Sequence, residues 1–575
     1  MRLKVSRSKN SASLYVTKTV YEGKKERTIT VEKLGTEAEL REKLNGQDPY
    51  EWARNYIDEL NIKEKEQTRN VILKYSQSTL ISKNEQRSFN GGYLFLQQLY
   101  HQLGLHHICK EISLKYNFTF NLDSILSRLI YGRILFPASK LSTYQESVRL
   151  LEQPDFQLHH VYRGLEVIAK EMNFIQSELY KNSLSISKRN DRILYYDCTN
   201  YFFEIEQEDG LKQYGFGKDH KPNPIVEMGL FMDGDGIPLA FSIHSGNTNE
   251  QTTLIPLEEQ LLNDFKLSKF VVCTDAGLSS TDNRKFNNIK ERAFITTQSI
   301  KKLKKHLKDW ALDTTGWLFD GSDKIYDIST FDQDNVNYEN FKTKIFYKER
   351  WINEDGLEQK LIVTYSLKYR DYHRQIRNQQ IERASKLIET RPNTIKNKKQ
   401  NDFKRFIAPT NVTKEGEIAD KVIYNINEKT IANEEMYDGF YAVCTNLDDD
   451  TSAIAKINHS RWEVEECFRI MKSEFKARPV YLRRDDRIKA HFTTCFLALT
   501  LYRYLEKRLE ENFTTQEIVT GLKGMNFYSV PTEGYIPTYK RTDFTDALHE
   551  AFGFRTDYQI VSNKQMKNIF NETKK

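Results

Sequence analysis

Apolar and polar positions alternate near the start of the chain. SLYVTKTV and RTITVEKL, within residues 12–33, are rich in β-branched residues and predict a small hairpin, followed by a helix over about 49–66. Between about 93 and 185 the spacing turns helical. Leu122, Ile125, Leu126, Leu129 and Ile130 share one helical face, and Pro137 ends that helix. Val161, Leu165, Ile168, Met172, Ile175 and Leu179 mark a second long helix. The period then changes. RILYYDCTNYFF (192–203) reads as a buried strand; IVEMGLFMD (225–233) and IPLAFSIHSG (237–246) are two more, joined by a turn at Gly234-Asp235-Gly236. EQTTLIPLEEQLLNDF (250–265) is a helix and KFVVCTDAG (269–277) a fourth strand. Three strands, a helix and a strand predict a mixed sheet flanked by helices.

From about 300 to 450 the pattern is less regular. It holds the strand candidates KTKIFYKE, QKLIVTYS and GFYAVCTN and one polar helix near 366–388. Helical spacing resumes over 451–510, and a further helix lies near 514–523. The expected division is a hairpin plus helix (1–88), a helical region (89–190), the first part of an α/β core (191–300), a partly β insertion (301–450), the second part of the core (451–510) and a C-terminal region (511–575).

Composition narrows the class. At roughly 150 residues per domain, 575 residues allow three or four domains. Apolar residues at 39 % are ample for packed cores, and 29 % charged residues describe a soluble protein. No apolar run approaches the roughly 20 residues of a membrane helix, and MRLKVSRSKNSASLYV lacks the apolar stretch of a signal peptide. Six scattered cysteines with no CxxC pair argue against a disulfide framework or zinc site and fit a reducing cytoplasm. The net charge of +6 says little about partners. Its distribution says more. Residues 386–405 hold seven Lys/Arg against two acids, residues 469–489 hold eight against three, and Lys301, Lys302, Lys304, Lys305 and Lys308 form another cluster. Such patches suit phosphate contacts, although solvated helix faces explain any single one as well.

Three acids carry the candidate chemistry. Asp197 interrupts an apolar strand, where a carboxylate needs hydrogen bonds, a cation or a metal. Pairing with a nearby Lys or Arg is the bland alternative. Asp275 ends a strand before a glycine, where α/β sheets gather ligands but where an Asx turn or helix cap is equally at home. Glu465 lies in HSRWEVEECFRIMKSEFK. At 100° per residue, Arg461, Glu465, Arg469, Lys472 and Lys476 share one stripe beside an apolar stripe of Val464, Cys467, Phe468, Met471 and Phe475. The stripe fits either i,i+4 ion pairs, Arg461–Glu465 and Glu465–Arg469, or a carboxylate aimed at a metal with cations to hold phosphates. Lys218, Asp219 and His220 sit in a Gly-rich loop that suits contact with DNA or metal, or a plain surface turn. His244 and His459 read as structural. Trp317 is a candidate for stacking on a flipped base, with core packing the default. There is no Walker-type phosphate loop, so ATP use is unsupported.

The Arg461, Glu465, Lys472 spacing resembles the signature of the insertion-sequence-four superfamily of DDE transposases. That signature runs Tyr, then Arg three later, Glu four after that and Lys seven after that; Asn458 stands at the Tyr position. YYDCTNYFFE and CTDAG resemble the strands of the family's first and second Asp. GFGKDHKPNP, GIPLAFSIHSGNTNE and RPVYLRRDDRIKAHFTTCFLALTLYRYLE resemble its intervening and closing segments, so the likeness covers about 90–510.

The resemblance implies an RNase H-like mixed sheet interrupted by a largely β insertion. The 189 residues between Asp275 and Glu465 call for an inserted domain on length alone. It also implies that Asp197, Asp275 and Glu465 bind metal and catalyse the reaction. Two Mg²⁺ ions, about 3.5–4 Å apart, would serve, with Asp197 bridging and Mn²⁺ able to substitute. Arg461, Lys472, Arg469 and Lys476 would bind phosphates; Lys218 and His220 would touch DNA. The implied partners are double-stranded DNA, as element ends with inverted repeats and as target, and a second copy of the chain in a synaptic complex. The region 89–190 would read the ends. The implied reaction is hydrolysis at an element end, then attack of the freed 3′-OH on target DNA. A nuclease of the same fold and a catalytically inactive DNA-binding product are the alternatives.

Overall fold

The computed structural model describes residues 1–575 except 9–10, 23–24, 45–46, 68–70, 74, 219–220, 332–337, 391–394, 396–401 and 413–420. Packing divides the chain into two units, Met1–Glu85 and Gln86–Lys575. In the first, the alternation near the start forms three antiparallel strands, β1 (Arg2–Ser8), β2 (Ser11–Glu22) and β3 (Lys25–Thr36), so a further strand precedes the expected hairpin. Thr36 caps the helix Glu37–Lys43 through a reciprocal bond with Glu39, and a second helix runs Pro49–Gln67. Leu14, Leu40 and Ala53 are the small core of this unit.

The second unit opens with β4 (Ser88–Asn90) and six helices between Tyr93 and Ser183. The helix Leu122–Leu135 starts at Asn121, whose side chain accepts the Ser124 N–H at 3.0 Å, and is buried on nearly every side. It packs against Asp485–Arg508, a helix that runs through the middle of the largest core.

The ten-stranded sheet joins residues that the sequence splits between core and insertion. β5 (Ile193–Phe202) pairs antiparallel with β6 (Ile225–Asp233), which pairs antiparallel with β7 (Pro238–Ser245). On its other edge β5 runs parallel to β8 (Val271–Thr274), and β8 to β9 (Ala293–Thr297). β9 is too short for its period to stand out in the sequence. Next in the chain come β10 (Trp317–Phe319), β11 (Ser322–Tyr326), β12 (Ile345–Glu354) and β13 (Leu357–Ser366). A separate ribbon, β14 (Ile407–Val412) with β15 (Lys421–Ile426), precedes β16 (Phe440–Thr445). β16 pairs with both β9 and β13, so the later strands extend the core sheet in the order β11-β10-β12-β13-β16-β9-β8-β5-β6-β7. β17 (Asn526–Val530), β18 (Gly534–Pro537) and β19 (Val561–Ser562) form a small sheet with β4.

Alternation along β5 sets the two faces of the sheet. Tyr195 and Tyr201 enter the large core with Val464, Cys467, Phe468 and Met471, whereas Leu194, Tyr196 and Cys198 face Leu254, Leu257 and Leu261. Asp197 and Thr199 therefore share the face covered by the helix Trp462–Ser473. The turn between β6 and β7 is held by a fully buried ion pair. Arg189 Nε donates to Asp233 Oδ2 at 2.6 Å, Nη2 to the carbonyls of Ile237 and Pro238, and Nη1 to Ser183 Oγ. All six cysteines are free and buried. Among the described residues, no helix is long and apolar enough to cross a membrane.

Candidate active site

The parallel pairing of β5 with β8 places Tyr195 opposite Cys273. Asp197 and Asp275, each two residues farther on, reach neighbouring positions at the carboxyl end of the sheet. Asp197 Oδ1 accepts the Cys198 N–H at 2.8 Å. Burial pushes the Asp197 carboxyl up to about 6; Lys218 opposes the rise, Asp275 adds to it, and the Cys198 N–H and Arg461 oppose it further. Asp275 Oδ1 accepts the N–H groups of Gly277 at 2.9 Å and Leu278 at 3.0 Å. The Asx-turn geometry is thus present, and it fixes the carboxylate at the strand end.

Glu465 comes from a different element. The spacing predicts one unbroken helix through His459 to Lys476; instead Thr451–His459 and Trp462–Ser473 meet at Ser460–Arg461. Glu465 sits exposed in the first turn after that break, and its Oε1 accepts from Arg461 Nη1 at 3.4 Å. The break carries Arg461 inward, toward the sheet. Burial opposes its charge, but Tyr441, Asp197, Glu465 and Asp275 all stabilise the guanidinium and hold its pKa above the ordinary value. One cation thus interacts with all three acids.

The remaining stripe is less uniform than its spacing. Lys472 Nζ donates to Thr199 Oγ1 at 2.6 Å, next to Asp197 on β5. Arg469 pairs with Glu466, its Nε donating to Oε2 at 2.7 Å, in place of the expected partner Glu465. Lys476 leaves the stripe, because the helix ends at Ser473 and Lys476 takes a left-handed φ of 45°. Its carbonyl accepts from Arg133 Nη1 at 3.2 Å. Lys218 reaches the site: Nζ donates to the Cys198 carbonyl and pairs with Glu250 at 3.4 Å. His220 and Asp219 lie outside the described residues.

Three site residues, Tyr441, Glu227 and Glu250, escape the sequence reading, and Asn458, which stands at the Tyr position of the signature, supports the first of them. Asn458 is buried, and its Nδ2 donates to the hydroxyl of Tyr441 at 3.0 Å. Tyr441, on β16, also bonds Thr297 Oγ1 at 2.6 Å and brings its hydroxyl beside Arg461. Glu227 and Glu250 lie near Lys218. The only sequence signal for Glu227 is an acid within the apolar run IVEMGLFMD. A cavity of about 1060 Å³ opens beside Glu465, lined by Tyr347, Tyr369, Tyr441, Arg461 and Trp462 among others. Trp317 is not part of it; it is fully buried and donates Nε1–H to the Asp313 carbonyl at 2.9 Å, so it is a core residue.

Another cluster suits a metal only at first sight. Ligand atoms of Asp546, His549 and Asp557 lie within 4.8 Å of one another. Arg555 already engages both carboxylates, at 2.8 and 2.7 Å, and His549 Nε2 accepts the Thr556 N–H, which leaves the proton on Nδ1. Asp197, Asp275 and Glu465 are spread more widely, with Arg461 among them.

A family described as the transposase DDE domain matches residues 202–501. The chain belongs to that family. Asp275, Arg461, Glu465 and Lys472 lie inside the matched span of this transposase domain, and Asp197 lies five residues before it. Among solved structures, the transposase chain is similar to one described as a cryo-EM structure of a piggyBac transposase synaptic complex with hairpin DNA. The identity is 8 % and the TM-score 0.36, with 85 % of this chain and 88 % of that chain covered. No curated protein matches the sequence.

Proposed function

We propose that this transposase belongs to the insertion-sequence-four superfamily and carries out metal-dependent cleavage at element ends and strand transfer of the 3′-OH into target DNA. The observation that carries the reading is the convergence of Asp197, Asp275 and Glu465, from two strands and a helix, around the single guanidinium of Arg461. The β7-β6-β5-β8-β9 part of the sheet, antiparallel on one side of β5 and parallel on the other, supports an RNase H-like core.

The donor set fits a hard dication. It offers three carboxylates, and Asp197 is held in a place where burial disfavours its negative charge until a cation comes near. Asp197, Asp275 and Glu465 would hold Mg²⁺, or Mn²⁺ in its place, as two ions. Bound there, the ions would lower the pKa of water and stabilise the leaving oxygen of a phosphodiester. The chain's own groups orient the DNA. Arg461 is fixed by the helix break and by Tyr441, and would grip the backbone beside the scissile phosphate. Lys472, tied to Thr199, would hold the next phosphate. Arg469 and Lys476 would add charge for flanking phosphates. Arg163 and Lys170, exposed on the helix Leu158–Lys170, would offer a face to end DNA. Bringing two ends together would need two copies of the chain.

The test is a linear duplex carrying the inverted repeats that flank the coding sequence, mixed with a plasmid target. Cleavage and joining are expected with Mg²⁺ or Mn²⁺ and neither with EDTA. Cleavage without joining would make the protein a nuclease; binding without cleavage would make it an inactive DNA-binding product. In the same assay, Lys472→Met is expected to lower the cleavage rate about 10–100-fold, since misplacing a reacting group costs that much. Its slope of log affinity against log salt is expected to fall in magnitude by about 1, the effect of one lost phosphate contact. An unchanged rate and slope would make Lys472 a packing residue only.

A further inference from the structure

The face of β5 opposite Asp197 carries a second set of charged groups. Glu227, near the start of β6, is 3 % exposed and lies opposite Asn200 of β5 and His244 of β7. Its carboxyl is in hydrogen-bonding contact with that of Glu250, on the turn Glu250–Thr252. Two carboxylates cannot keep such contact without a proton between them. Burial first, and then the charge of Glu250, push the Glu227 carboxyl up to about 9. The other oxygen, Glu227 Oε1, is buried without a hydrogen-bond partner.

Glu250 in turn pairs with Lys218 at 3.4 Å. Lys218 crosses the end of β5. Its backbone N–H donates to Asn200 Oδ1 at 3.1 Å, and Asn200 Nδ2 donates to the Phe216 carbonyl at 3.1 Å, which clamps the loop to the strand. The Lys218 ammonium donates to the Cys198 carbonyl, one residue from Asp197. Burial works against its charge, and Asp197, Glu250 and Glu227 more than offset that. A lysine stem is long and rich in rotamers, so two fixed acceptors are needed to keep its amine in one place.

We propose that Glu250, anchored by Glu227, is a positioning residue that holds the Lys218 ammonium beside Asp197 during DNA cleavage. The role rests on the reading of Asp197 as part of the reacting site. The chain thereby gains a second cation near Asp197 besides Arg461, and that cation's place is set by Glu250 and the Cys198 carbonyl.

Cleavage of the flanking-repeat duplex is measured in Mg²⁺ at saturating DNA, with thermal unfolding of each variant alongside. Glu250→Gln is expected to slow cleavage about 10–100-fold with DNA affinity changed by less than about threefold, because geometry and not binding is lost. Added to Lys218→Met, it should cause no further loss, since both act through one amine. Glu227→Gln still donates to Glu250 and should keep at least about ten times the rate of Glu227→Ala. A fully active Glu250→Gln, or losses that multiply with those of Lys218→Met, would overturn the proposal, and Glu250→Gln decides it if Glu227→Ala does not fold. Asp197→Asn separates the two readings. If it still cuts, the acid site is misassigned; if it is inactive while Glu250→Gln is unimpaired, only the positioning role fails.

Discussion

Asp197→Asn is expected to lower DNA cleavage by at least about 10³-fold, equivalent to about 4 kcal/mol of transition-state stabilisation. The amide keeps the shape of the side chain and can still accept the Cys198 N–H, so the loss would be of charge alone. The same variant should be more stable than the parent when metal is absent. Burial holds the Asp197 carboxyl at about 6 in the folded protein, above the ordinary 3.8. The folded state therefore binds the proton more tightly than the unfolded state, and stability falls as pH rises from about 4 to about 6. Above that window the ionised group costs about 2–3 kcal/mol, at 1.36 kcal/mol for each pKa unit. Thermal melts in EDTA should thus place Asp197→Asn above the parent at pH 7 and level with it at pH 4. Mg²⁺ should raise the parent's midpoint at pH 7 and leave the variant's nearly unchanged. A variant that cuts DNA at the parental rate would remove Asp197 from the site.

Arg189→Met should cost about 3–5 kcal/mol of stability, the usual penalty for stranding one member of a buried ion pair. Both side chains are almost wholly inaccessible, and Arg189 makes four hydrogen bonds that join the helix Met172–Ser183 to the β6–β7 turn. Asp233 Oδ1 also accepts the N–H groups of Asp235 and Ile237, so a double change to Arg189→Met with Asp233→Leu should recover only part of the loss. The consequence extends to the site. Arg503 bonds the Gly236 carbonyl at 2.8 Å and Glu463 at 3.1 Å, which ties this turn to the helix that presents Glu465. Urea unfolding of the single and double variants measures the effect. A loss below about 1 kcal/mol for the single variant would mean that solvent or another cation reaches Asp233.

The candidate site was legible where local pattern and chemistry coincide. Asp197 stands out because it breaks an apolar strand, Asp275 because it ends a strand two residues before a glycine, and Glu465 because Arg and Lys recur around it at helical spacing. Tyr441 and Glu250 carried no such mark. Tyr441 belongs to a strand more than 160 residues after Asp275 in a chain of 575, and only the pairing of β16 with β9 brings it beside Arg461. Glu250 reads as an ordinary first-turn acid until Glu227 and Lys218 fold against it. The helical stripe also overreached. Periodicity continues to Lys476, but the helix ends at Ser473, and no spacing rule reports where a chain turns away.

By itself the sequence determined the mixed sheet, most of its strands, the order of the acids and the helix that bears Glu465. Those depend on apolar period and local hydrogen bonding, which act between residues close in the chain. Only the tertiary structure decided that the strands of 301–450 extend the core sheet through β16. It alone also placed Arg461 among three acids and Lys218 between Asp197 and Glu250. Strand order, register and burial come from contacts between segments far apart in sequence. The charge a buried carboxyl holds depends on which distant groups arrive beside it.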